Sequence, residues 1–127
     1  MIVNLASASW GPQFLVPTIV INKYSGRVVL RETFDEDLLK RELDLMNVSG
    51  HPEGYNNAWY VRRKGIQTWT KIGESSDRQR DFAVCFDSTE FKNGKYQILG
   101  FMSIKVKATA KEVIVSRQNI ADLEIRN

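Results

Sequence analysis

One cysteine, one histidine and three prolines in 127 residues leave this chain short of the residues on which much small-protein chemistry depends. A lone Cys85 allows no disulfide within the chain. A lone His51, set in the turn-like stretch SGHPEG with no cysteine beside it, cannot complete a zinc site by itself. No apolar run approaches the roughly 18 residues that a membrane-spanning helix requires, so no membrane span is expected. The first residues, MIVNLASASWGPQFLV, have a short apolar start and an Ala-x-Ser pattern. They lack a basic leader and a continuous apolar core, and do not read as a signal peptide. The unpaired thiol suits a cytoplasmic or virion setting, with a trimmed secreted domain as the alternative.

The motifs of common enzymes are also missing. There is no Gly-x-x-x-x-Gly-Lys-Ser/Thr, no Gly-x-Gly-x-x-Gly and no Gly-x-Ser-x-Gly. Cys85 sits in DFAVCFD among apolar neighbours and reads as a small core residue rather than a nucleophile served by the distant His51. Carboxylate pairs such as Asp81 with Asp87, or Glu74 with Asp77, arise by chance in any chain with fifteen acids. The chain is therefore not expected to be an enzyme, to bind a metal or to carry a cofactor. A small enzyme using an unrecognised carboxylate site stands as the third reading. Asn47-Val48-Ser49 matches a glycosylation acceptor by pattern only.

Charge points to no particular partner. Lys and Arg number 18 against 15 Asp and Glu, and the signs alternate closely along the chain. A dedicated nucleic-acid binder concentrates its excess on one face. The length suits a single domain, taken as 1–127, able to bury a core without cross-links.

What is present is mostly strand. Residues 16–32 read as a hairpin, with Val16, Ile19, Val20 and Ile21 answered by Val28, Val29 and Leu30. Its turn, Asn22 to Gly26, ends on a glycine suited to positive φ. Residues 34–47 break the pattern: Leu38, Leu39, Leu43 and Met46 fall at helical spacing. Thr33 or Asp35 can cap this helix, the acids Asp35, Glu36 and Asp37 suit its positive end, and Asn47 stops it. SGHPEGYNN then reads as a polar loop. Strands are expected at 58–63, 66–72, 81–86, 95–106, 112–116 and 120–126. Regular short strands without strand–helix–strand repeats predict a mainly β fold, an antiparallel β-sandwich or barrel-like domain with one short α-helix.

The stretch AWYVRRKGIQTWTKIG (58–73) mixes aromatics with cations. Alternation assigns Trp59 and Val61 to a core face and leaves Tyr60, Arg62, Trp69 and Lys71 for the opposite one. Those four are candidates for binding a glycan or single-stranded nucleic acid, because both uses need aromatics and hydrogen-bonding groups on one exposed face. Tyr55, Asn56 and Trp10 are further candidates for a sugar surface. Neither ligand is favoured by the overall charge. The strand KYQILGFMSIKV (95–106) is apolar on both sides: Ile98, Met102, Ile104 and Val106 share one parity, Leu99 and Phe101 the other. A helix stripe of Leu39, Leu43 and Met46 can cover one side. A protein partner, or a second copy of the chain, can cover the other through Leu99 and Phe101.

The segment Trp59–Val106 carries an aromatic strand, then WTKIG, an Asp-Ser-Thr stretch and Asn93-Gly94-Lys95-Tyr96 opening a long strand. In these features it resembles immunoglobulin-like or fibronectin type III-like accessory β-sandwich domains. It departs from them in having Lys92, not an acid, four residues before Tyr96, and in adding the 34–47 helix. The resemblance implies a tyrosine corner, with the Tyr96 ring buried and its hydroxyl bonded to backbone, and Ile98 pointing inward. It implies a binding, spacing or assembly module with no catalytic residue. The leading expectation is thus a non-enzymatic interaction module that self-assembles or docks on a protein. A glycan- or nucleic-acid-binding module is the alternative.

Overall fold

The apolar alternation of 95–106 is realised in a strand that runs further at both ends. The computed structural model describes residues 2–4, 23–108 and 111–127. In chain order these form β1 (Ile2–Asn4), β2 (Lys23–Tyr24), β3 (Arg27–Leu30), α1 (Glu36–Leu45), β4 (Gly50–Arg63), β5 (Thr70–Ser75), β6 (Val84–Asp87), β7 (Gly94–Ala108) and β8 (Glu112–Ile125). Strands β5, β4, β7 and β8 lie side by side as an antiparallel sheet, and β1 and β2 join β8 in parallel at its two ends. A second, two-stranded sheet pairs β3 with β6. Among the described residues the fold is mainly β, with two sheets and one α-helix, and the large sheet does not close into a barrel.

Two covers share the inner face of the large sheet. Helix α1 sets Leu39 and Leu43 onto Met102, Ile104 and Val106 of β7 and Val113 and Val115 of β8, with Met46 packed at the margin. The small sheet sets Leu30 and Phe86 onto Trp59, Val61, Ile98, Leu123 and Ile125. Burial of this apolar area is the main stabilising term. The Trp59 indole is fully buried and donates to the Phe82 carbonyl at 3.2 Å.

Local chemistry sets the ends of the elements. Asp35 caps α1, its carboxylate accepting from the Leu38 amide at 3.0 Å. Asn47, at φ 56°, ends it: the Asn47 amide donates to Asp44 and the Val48 amide to Leu43, a Schellman arrangement. Gly26 adopts φ 98° between β2 and β3. A Cβ on Gly73 would lie 3.0 Å from Val84, so glycine there allows β6 to cross closely over β5. The tyrosine corner is present: Tyr96 is buried and its hydroxyl donates to the Lys92 carbonyl at 2.6 Å.

Several expectations are corrected. SGHPEGYNN is not a loop: from Gly50 onward it is the first half of β4, which tolerates its proline and glycines because the register with β7 shifts at Glu53. The separate strands at 112–116 and 120–126 are one continuous β8, since Arg117 to Asn119 keep pairing with β7. Residues 66–69 carry no regular structure, and the strands expected at 66–72 and 81–86 start later, at Thr70 and Val84. The helix is shorter than 34–47 because Asp35 is its cap. Cys85 is not a core residue: on a four-residue strand covered on one side only, its neighbour Phe86 takes the buried parity and Cys85 is exposed. Strand β3 pairs with β6, and the other arm of the expected hairpin, Val16, Ile19, Val20 and Ile21, lies outside the described residues, as does Trp10.

Candidate binding face

The inner residues of β4, β7 and β8 are committed to the core, so their alternates define an outer face. Cross-strand pairing arranges these in rows: Tyr60, Leu99 and Ile120; Ala58, Phe101 and Gln118; Asn56, Ser103 and Ser116. Strand β5 adds Lys71 beside Tyr60 and Glu74 beside Ala58. Tyr60, Arg62 and Lys71 therefore share a face with Leu99 and Phe101, and Trp69 joins them through the Arg62 guanidinium, which lies 4.2 Å over its ring. Both candidate sets meet on one surface, apolar at its centre and charged at its rim. Ile120 is 48% exposed and Phe101 half-buried, while Leu99 retains only 8% exposure between its row neighbours.

The rim charges are already engaged. Arg62 Nε donates to Gln97 at 2.9 Å, Gln97 donates to Asp122 at 3.1 Å, and Lys64 reaches Asp122 at 3.2 Å. These contacts, Gln97 first and then Lys64, hold the Asp122 carboxyl below its usual range. Lys71 pairs with Glu74 at 2.7 Å, and Asn56 donates to the same carboxylate at 3.0 Å while accepting from Ser76 at 3.1 Å. The Glu74 carboxyl is lowered by the Lys71 bond and then the Asn56 bond, and the Lys71 ammonium is correspondingly raised. A polyphosphate strand needs free cations. Arg62 and Lys71 offer a sugar or a peptide more than they offer a phosphate.

Beyond Phe101 the outer face hollows into a cleft of about 540 Å3, floored by Phe101 and Ile114 and edged by Asn56, Ser103 and Lys105. Tyr55, a candidate for a sugar surface, turns to the inner face instead and meets Phe34 edge-on at 4.9 Å between ring centres. Burial raises its phenol pKa.

A second polar cluster, which sequence reasoning missed, lies inside. Arg117 of β8 and Glu32, in the loop before α1, are each about 1% exposed. Arg117 bonds to Glu42 of α1, and Asn119 donates to Glu32 at 3.4 Å. Burial pushes the Glu32 carboxyl up to about 8 against the opposing pull of Asn119 and Arg117. Burial likewise raises Glu42 and lowers Arg117. The signal was legible in parity: Val113, Val115, Arg117 and Asn119 all face inward on β8. This cluster is mostly buried, with Glu42 and Asn119 at its partly exposed edge, and joins a helix to a strand, as a structural tie does.

The remaining candidates do not converge. His51 is exposed and lies 3.9 Å from Glu53. Asp81 adopts a left-handed turn, Asp87 accepts from Thr89, and Asp77 caps a short 3-10 turn at Arg78–Arg80. Among the described residues there is no group of three His, Cys, Asp or Glu able to hold a metal, and no helix long and apolar enough to cross a membrane. No protein-family model matches the chain, and no curated protein or solved structure matches it.

Proposed function

We propose that the domain is a non-enzymatic interaction module that docks through the outer face of its large sheet, in the first instance on a second copy of itself. One observation carries this reading: Leu99 and Phe101 fall in adjacent rows with Tyr60, Ala58 and the exposed Ile120, giving an apolar centre with a polar rim. Protein interfaces combine such a centre with such a rim. The kinship with immunoglobulin-like and fibronectin type III-like modules is part of this proposal, supported by the Tyr96 corner and the inward Ile98. Light scattering coupled to size exclusion, from micromolar to millimolar protein, tests it. Dimer is expected for the wild type and monomer for Ile120→Lys; a wild-type monomer throughout that range overturns the self-association.

A glycan-binding reading has its own support, because Tyr60, Arg62, Trp69 and Lys71 gather on the same face. Titration of the Trp69 fluorescence with a glycan panel and with single-stranded DNA tests it. Response to a glycan and none to DNA is expected; silence to both removes this alternative.

A further inference from the structure

We infer that the cleft beside Phe101 is a binding site for a small amphiphilic carboxylate, a medium-chain fatty acid, with its tail on Phe101 and Ile114 and its head at Lys105. The inference rests on the outer face being a binding surface and names a ligand for one part of it.

Three observations carry it. The cleft holds about 540 Å3, within the range of small-molecule sites and too large for a few trapped waters. Its floor is apolar: Phe101 and Ile114 project outward from β7 and β8, and the aliphatic stem of Lys105 lies over Gly54, 3.9 Å from where a Cβ would stand. Glycine at 54 leaves that stem a flat backbone to rest on, so a lysine supplies apolar wall and charge together. The charges are asymmetric. Glu74 is spent on Lys71 and Asn56, and Glu112, which shares the outer parity of Ile114 diagonal to Lys105, makes no ion pair with it; among the described residues Lys105 is the one charged side chain lining the cleft and makes no ion pair. The Ser103 hydroxyl, one row from Lys105 on the same strand, is placed to donate to the same head group. An apolar cleft with one uncommitted cation and a hydroxyl at its edge selects a tail bearing one negative charge. It disfavours a dianionic phosphate, for which a single lysine is a weak match.

The test is titration of the full chain with sodium decanoate and with the neutral decanol, below their aggregation thresholds, followed by amide chemical shifts. Decanoate is expected to saturate shifts at Phe101, Ser103 and Ile114. Lys105→Met, which keeps the stem, should weaken decanoate roughly fivefold while leaving decanol unchanged. Ser103→Phe, which fills the cleft, should abolish both. Saturable binding elsewhere, absence of saturable shifts, or a Lys105→Met variant equal to wild type for decanoate overturns the assignment. Light scattering on the same samples separates the readings: a dimer that shows no saturable decanoate shifts refutes the cleft ligand and leaves the docking face standing.

Discussion

Arg117 of β8 is bonded to Glu42 of α1 across the inner face of the sheet, with the Glu32 carboxyl close enough to interact with the same guanidinium. The helix is thus held by apolar packing through Leu39 and Leu43 and by one buried charge pair. A buried pair contributes little relative to an apolar replacement, but losing one partner strands the other without water.

That asymmetry gives the first prediction. Arg117→Met leaves Glu42 and Glu32 without their guanidinium and should cost roughly 3 kcal/mol of unfolding free energy. Adding Glu42→Leu should recover most of the loss. Urea unfolding followed by far-UV circular dichroism measures both; equal losses in the single and double variants would show that the pair does not set the cost.

Glu32 makes stability depend on pH. Its carboxyl titrates near 8 in the folded chain and near 4.5 when exposed. The folded state therefore binds this proton more tightly, so the stabilisation is complete below about 4.5 and is lost as pH rises to about 8. Across that window the loss is on the order of 3 to 5 kcal/mol from this group alone. Glu32→Gln, always neutral, should lack the loss. The stability difference between Glu32→Gln and wild type should grow from pH 5 to pH 8.5, and a difference constant with pH would place the ionisation elsewhere.

The Tyr96 corner joins the start of β7 to the turn before it. Its hydroxyl donates to Lys92 and accepts from Arg63 at 3.2 Å. Tyr96→Phe keeps the ring in the core and removes both bonds, so it should cost about 1 to 2 kcal/mol, read from the shift of the urea midpoint. A neutral substitution would mean that water replaces the hydroxyl without loss.

Sequence patterns were most informative where one physical signal acted alone. Period-two alternation puts Trp59 and Val61 on a core face, and both are buried. The helical stripe placed α1, with Asp35 and Asn47 as its ends. Glycine and proline misled: they marked SGHPEG as a loop, whereas a register shift at Glu53 lets β4 carry them. Cys85 misled because an apolar neighbourhood in sequence says nothing of which parity a short strand buries. Of the candidate face, the members were legible but their meeting was not. Tyr60 is next to Leu99 only because β4 pairs with β7 across more than thirty residues of chain, and that pairing is tertiary.

The two tryptophans of the 58–73 segment provide the last prediction, because alternation gives them opposite fates. Trp59 is fully buried and hydrogen-bonded, while Trp69 is half-buried with a guanidinium over one side of its ring. Trp59→Phe leaves both a cavity and an unpartnered Phe82 carbonyl, and should cost roughly 2 to 4 kcal/mol. Trp69→Phe keeps an aromatic under Arg62 and should cost less than about 1 kcal/mol. Acrylamide quenching distinguishes their surroundings: in a Trp10→Phe background, Trp69→Phe should remove most of the accessible emission and Trp59→Phe most of the protected emission. Equal quenching of the two would mean that the face carrying Tyr60, Arg62 and Lys71 is not the one open to a partner.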